Sequence, residues 1–191
     1  MGVSRRAFVA AAFAAPFARA EDDDARRTWS RLREGGHVIL VRHASTEPGL
    51  GDPAGFKLGD CATQRNLSEA GRAEARRLGE RLKAERVPIG VVYTSPWCRC
   101  RETAMLAFGR ARDWEPLSSF FDNPHLEPAG TESVRKRISQ FAKKAGAPNL
   151  VMVTHNVNIA ALTRLSIAQA EMVVVRPDGC CGLKVVGRLR V

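Results

Sequence analysis

Aromatic residues are scarce in this chain, 6% of 191 positions with a single tyrosine. No recognised nucleic-acid motif accompanies the basic residues either, so no nucleic acid is expected as a partner. No apolar run is long enough to span a bilayer as an anchor of the mature chain. Internal repeats and coiled-coil heptads are missing, which excludes solenoids and long coiled coils. The five cysteines, Cys61, Cys98, Cys100, Cys180 and Cys181, match no metal-site spacing, so neither a metal nor another cofactor is expected. Acidic residues are outnumbered, 20 against 30 Lys+Arg, for a formal net charge of +10. That balance favours an anionic partner, and a small anionic substrate fits it well.

What is present fits one globular domain with a sizeable core. Residues 1–20 read as an export signal: Arg5-Arg6 precede an apolar, Ala-rich run, and Ala18-Arg19-Ala20 supplies small residues for cleavage. The pattern resembles a twin-arginine signal, so a periplasmic or secreted location is expected for a mature chain from residue 21 to 191. Its removal would take three arginines and no acids, leaving 27 basic against 20 acidic residues.

Beyond it, 26–34 reads as a short helix with Trp29 and Leu32 on one side, stopped by Gly35-Gly36. Val38-Ile39-Leu40-Val41 then reads as a buried strand that breaks directly into Arg42-His43. A long polar stretch, 45–66, contains Pro48, Pro53 and several glycines; a loop of that length inside a compact domain is usually functional. Ser68 is a good N-cap for a helix whose Leu67, Gly71, Ala75, Leu78 and Leu82 form one inward stripe.

A second strand, 89–94, ends in Ser95-Pro96-Trp97 and leads into a helix carrying Arg99 and stopping at Gly109. The stretch 114–121 reads as a third, weaker strand ending in Asp122-Asn123-Pro124. Thr131 is expected to cap the next helix, which Gly146 and Pro148 would end. Leu150-Val151-Met152-Val153 forms another buried strand running into Thr154-His155-Asn156, and a helix over 157–165 follows. Two last apolar runs around Pro177-Asp178-Gly179 read as a closing hairpin. Alternating strands and helices imply a three-layer α/β/α fold with a mostly parallel central sheet and the C-terminal hairpin at its edge.

Parallel strands bring their carboxyl ends to one rim, where ligands of open α/β sheets bind. Arg42-His43, Ser95 to Arg99 and Thr154-His155 would meet there. A neutral imidazole is a competent nucleophile toward phosphorus and splits phosphoryl transfer into two steps. Arginine forks suit the charge on the equatorial oxygens, and a protonated acid is needed for the leaving oxygen.

Arg42-His43-Ala44, Asn66-Leu67-Ser68-Glu69-Ala70-Gly71-Arg72, Thr94-Ser95-Pro96 through Arg99 to Thr103-Ala104, and Val153-Thr154-His155-Asn156 resemble, in order and spacing, the smaller members of the histidine phosphatase superfamily. The resemblance implies a phosphoglycerate mutase-like fold with His43 as the phosphorylated nucleophile. Arg42 and Arg99 would clamp the phosphate, and His155 would donate a hydrogen bond to it. The implied activity is metal-independent hydrolysis of phosphate monoesters; the alternatives are a phosphohistidine or phosphoramidate phosphatase and a non-catalytic phosphate-binding protein.

Two departures bear on mechanism. Ala44-Ser45-Thr46 follows the first histidine where relatives carry Gly and Glu or Gln; Thr46 or Ser45 would offer phosphate a hydroxyl or cap the loop. Asn156 stands where one branch places an acidic residue; the resemblance to the mutase branch, which carries an acid after the third strand, makes Asp122 the nearest equivalent, with Glu115 and Glu127 as rivals and a cap of the turn at Asn123-Pro124 as the alternative role for Asp122. His37 and His125 read as structural or incidental. An exported location permits disulfides, and the odd count leaves at least one cysteine unpaired; Cys61 in the long loop and Cys98 beside Arg99 are one candidate pair, but the pairing of the five is not specified by the sequence. The substrate and the oligomeric state are not specified at this level.

Overall fold

The computed structural model describes residues 15–141, 147–179 and 182–191. The paired arginines of the expected export signal lie outside them. Along the chain run α1 (Ala15–Glu34), β1 (Val38–Arg42), α2 (Glu69–Ala84), β2 (Ile89–Thr94), α3 (Cys98–Phe108), β3 (Arg112–Asp113), α4 (Glu127–Phe141), β4 (Asn149–Thr154), α5 (Asn156–Thr163), β5 (Met172–Asp178) and β6 (Gly182–Leu189). Short 3-10 turns lie at Cys61–Thr63, Glu115–Leu117 and Pro124–Leu126. None of the described helices is long and apolar enough to cross a membrane.

The strands form one sheet in the order β3-β2-β4-β1-β5-β6. The pairs β2–β3, β2–β4 and β1–β4 are parallel, and the hairpin β5–β6 joins antiparallel on the far side of β1. The expected three-layer α/β fold is therefore present. Strand periodicity divides the core. Ile39 and Val41 pack with Trp29, Leu32, Leu78 and Leu82 on the face covered by α1 and α2. Val38 and Leu40 pack with Val134, Ile138 and Ile159 under α4 and α5. The predicted stripe of α2 is buried at Gly71, Ala75, Leu78 and Leu82.

Three elements differ from expectation. α1 runs well upstream of residue 26 and lies directly on β6: a Cβ on Gly187 would fall 1.9 Å from Thr28 Oγ1. The stretch 114–121 is not a strand; β3 occupies the two residues before it, and Trp114 N adds one bond to Thr94 O (2.8 Å). Pro116 has no N–H to continue that ladder, and the chain turns so that Leu117 enters the core. The fourth helix begins at Glu127 rather than at Thr131, because Pro128 is tolerated in a first helical turn. Its predicted stop at Gly146 lies outside the described residues.

Candidate active site

Strand register brings the reactive residues level. Arg42 pairs with Thr154 and Thr94 with Val153, so β1, β4 and β2 end side by side. His43 N donates to Thr154 O (2.9 Å) and Ser95 N to Val153 O (2.9 Å), fixing the residues just beyond the strands. A cavity of about 180 Å3 opens there, lined by Arg42, His43, Asp52, Arg65, Arg99 and His155, with Leu50, Phe121, Asp122 and Asn156 among its further walls.

His43 is 4% exposed, and burial, with Arg99, Arg42 and Arg65 nearby, pushes its pKa down to about 3. The ring is neutral at physiological pH. Its Nδ1 lies 2.9 Å from Ala44 O, which only accepts, so Nδ1 carries the proton and Nε2 keeps its lone pair. His155, 5.4 Å away between ring centroids, is also held neutral by burial and by the neighbouring charges. The Trp97 amide donates to Ser95 Oγ (3.4 Å), and the Ser95 hydroxyl lies 2.9 Å from His155 Nε2, a hydrogen bond that fixes the ring beside His43.

Three guanidinium groups surround this pair, each anchored by one nitrogen. Arg42 Nη1 donates to Ile167 O (2.6 Å), Arg65 Nη1 to Gly49 O (2.7 Å), and Arg99 Nη1 to both oxygens of Asp52 (2.8 and 3.0 Å). The Nε atoms of all three are buried without a protein partner. A buried donor left unpaired costs free energy, so three of them around one cavity point to an anionic ligand. Burial lowers the pKa of Arg42 and of Arg65, and a neighbouring arginine adds to each shift.

Arg65 and Asp52 were not legible as site residues in the sequence. Asp52, on the long loop, accepts from Arg99, Trp97 Nε1 (3.1 Å) and Arg65 N (2.9 Å). The signal for it was indirect: an acid in a loop long enough to be functional, in a chain whose arginines need a counter-charge. That loop is stapled to α3 by a disulfide between Cys61 and Cys98, one pairing that the sequence left open, while Cys100 is buried as a free thiol.

The remaining candidates divide. Asp122 lines the cavity. Glu115 accepts from Ser118 Oγ (3.0 Å) and faces a separate hollow, and Glu127 opens α4; neither lines this cavity. Thr46 does not line it either, its backbone forming an isolated bridge with Leu67. Ser45 is turned toward α2, its amide and hydroxyl both donating to Glu74 (2.9 Å each). The close approach needs Gly71, where a Cβ would fall 1.8 Å from Ser45 O. Asn156 accepts from Ile167 N (2.9 Å), and so holds the segment whose carbonyl anchors Arg42. His37 bonds Gly35 O (2.8 Å) at the amino end of β1, and His125 sits in an exposed turn.

In the segment that builds much of this rim, the chain is similar to the histidine phosphatase superfamily. The sequence model of that superfamily (branch 1) matches residues 38–120, which hold three of the four motifs. A 2,3-bisphosphoglycerate-dependent phosphoglycerate mutase from Corynebacterium diphtheriae is 40% identical over 84 residues, covering 43% of this chain and 32% of that protein. The chain therefore matches about a third of that relative's length. The structure of the protein histidine phosphatase SixA complexed with tungstate superposes with a TM-score of 0.57 at 17% identity, covering 81% of this chain and 96% of that one. A putative alpha-ribazole-5'-P phosphatase from Escherichia coli gives 0.59 at 14% identity, covering 79% and 94%. At these identities the structural likeness speaks of the fold.

Proposed function

We propose that the chain is a phosphatase that hydrolyses phosphate monoesters through a phosphohistidine on His43, without a metal. The observation that carries this reading is the set of three buried, unpartnered guanidinium Nε atoms around a neutral histidine whose Nε2 is free. The phosphate rests among Arg42, Arg65, Arg99 and His155. His43 Nε2 attacks phosphorus as the bond to the ester oxygen breaks, and Asp122 gives that oxygen its proton. Water then attacks the phosphohistidine, losing its proton to the Asp122 carboxylate, and releases inorganic phosphate with His43 restored. Fixed donors aimed at the phosphoryl oxygens supply most of the stabilisation. Asp52 is a positioning residue, because it aims Arg99.

Purified protein in chelator hydrolyses an aryl phosphate, and an alkaline denaturing quench with radiolabelled substrate traps label on the wild type and none on His43→Ala. Full turnover by His43→Ala sinks the mechanism. Tight phosphate binding without turnover or label shows a binding protein instead. Faster cleavage of phosphoramidate than of ester, unaffected by Asp122→Asn, assigns the phosphohistidine class, to which the SixA likeness lends support. We further propose that residues 1–20 direct export by the twin-arginine route. A reporter fused after residue 20 that stays inside cells when Arg5 and Arg6 are both changed to Lys supports this; unchanged export overturns it.

A further inference from the structure

The mouth of the cavity is chemically unlike its floor. Below lie three arginines and two histidines; above, Leu50 and Phe121 are 86% and 48% exposed, an adjoining apolar pair at the mouth of a polar site. They come from the two segments that roof the cavity and stand close together. A Cβ on Gly51 would lie 3.9 Å from Phe121 Cε1 and 3.9 Å from Asp122 Oδ1, so the tip of the long loop meets the chain around residue 121.

The polar groups at the mouth are largely engaged by the protein itself. Asn156 spends Oδ1 on Ile167 N (2.9 Å) and Nδ2 on Ser166 Oγ (3.1 Å). Ser119 Oγ accepts from Phe121 N (3.2 Å) and keeps only its own hydrogen to offer, and Asp52 is saturated by Arg99, Trp97 and Arg65. Asp122 is committed to the leaving oxygen. A leaving group rich in hydroxyls therefore finds few partners beyond the ester oxygen, while an apolar one finds Leu50, Phe121 and Val157.

We infer that the site is built for phosphate monoesters whose leaving group is apolar next to the ester oxygen, alkyl or aryl rather than polyhydroxyl, with Leu50 and Phe121 setting that preference. This rests on the placement of phosphate on the arginine floor proposed above. The test compares n-hexyl phosphate with glycerol 1-phosphate. Glycerol is the better leaving group, so a preference for hexyl reports contact and not chemistry. We expect kcat/KM for hexyl phosphate about tenfold higher, as burying a few methylenes supplies. The Leu50→Ser, Phe121→Ser double variant should bring the two within about threefold, by the same burial. A wild-type ratio near one, or a ratio the double variant leaves unchanged, overturns the inference. Leu50→Ser alone, at a side chain 86% exposed, keeps the test in force should Phe121→Ser not fold. Calorimetry separates the two readings. If neither ester turns over yet n-hexylphosphonate binds about tenfold tighter than methylphosphonate, the catalytic reading fails and the apolar subsite stands. Equal binding of the two phosphonates removes the subsite.

Discussion

The two segments that roof the cavity are held in opposite ways. The loop over 45–66 is tied at many points: the disulfide to Cys98, Asp52 on Arg99 and Trp97, Gln64 Oε1 accepting from Cys98 N, and the bridge from Thr46 to Leu67. The segment 118–123 bonds mostly to itself, with Ser118 N on Glu115 O and Asn123 N on Phe120 O; its longer-range anchor is Asn158 Nδ2 on Ser118 O (2.9 Å). The difference matches the chemistry proposed for each side. A phosphoryl group is the same in every substrate, and its charge demands donors fixed in advance. A leaving group varies, and a lightly tethered wall can yield to it.

The firmest side should break hardest. Asp52→Ala strips the counter-charge from Arg99, whose side chain is 5% exposed, and should cost about 3–5 kcal/mol of unfolding free energy in a urea titration. Asp52→Asn, which keeps two of the accepted bonds, should lose clearly less; equal losses would mean that the charge alone carries the effect and the accepted bonds none. Cys61→Ser opens a closure of 37 residues and should lower stability by about 2–4 kcal/mol. It should raise KM for phosphate esters more than it lowers kcat, since Arg65 and Asp52 ride on the freed loop. A fall in kcat with KM unchanged would assign the loop to the chemical step instead.

The floor itself should respond to pH. The His43 ring stays unprotonated in the fold down to about 3, whereas an unfolded histidine takes its proton near pH ~6.5. Below that value the unfolded chain binds the proton and the folded one does not, so stability falls as pH is lowered, by up to about 1.4 kcal/mol per pH unit for each such ring. His155, shifted the same way, adds to the slope. Urea midpoints between pH 7 and 4.5 read it directly, and His155→Gln should flatten the curve. The lightly held segment should show the smallest effect on stability: Asp122→Asn is expected within about 0.5 kcal/mol of wild type. In a single-turnover quench it should still slow phosphoenzyme formation from alkyl phosphates about 100-fold while sparing formation from an aryl ester that leaves without a proton. Equal losses on both would remove Asp122 as the acid.

Legibility in the sequence followed the range of the interactions. Arg42-His43 and His155 could be read because a strand carries them, and strand ends of a parallel sheet share a rim. The α2 stripe was visible because burial recurs at helical spacing. The stretch 114–121 looked like a strand from its apolar content, yet Pro116 and the burial of Leu117 decided otherwise. Asp52 and Arg65 escaped because their roles depend on a loop folding back across 47 residues to Arg99, which no local pattern records. Thr46 shows the converse: its place just after the histidine suggested phosphate, and the chain turns it to Leu67.

The buried free thiol of Cys100 sits two residues from the disulfide and 3.5 Å from His155 Nε2. Burial pushes its pKa up to about 12, so it holds almost no thiolate, and only thiolate exchanges with a disulfide. Once α3 is packed, Cys100 is chemically silent toward the bond beside it. Fidelity of pairing is thereby settled by the order of events: the sulfur that must not react is sealed by folding, and the bond to Cys98 closes from the side of Cys61, which stays exposed.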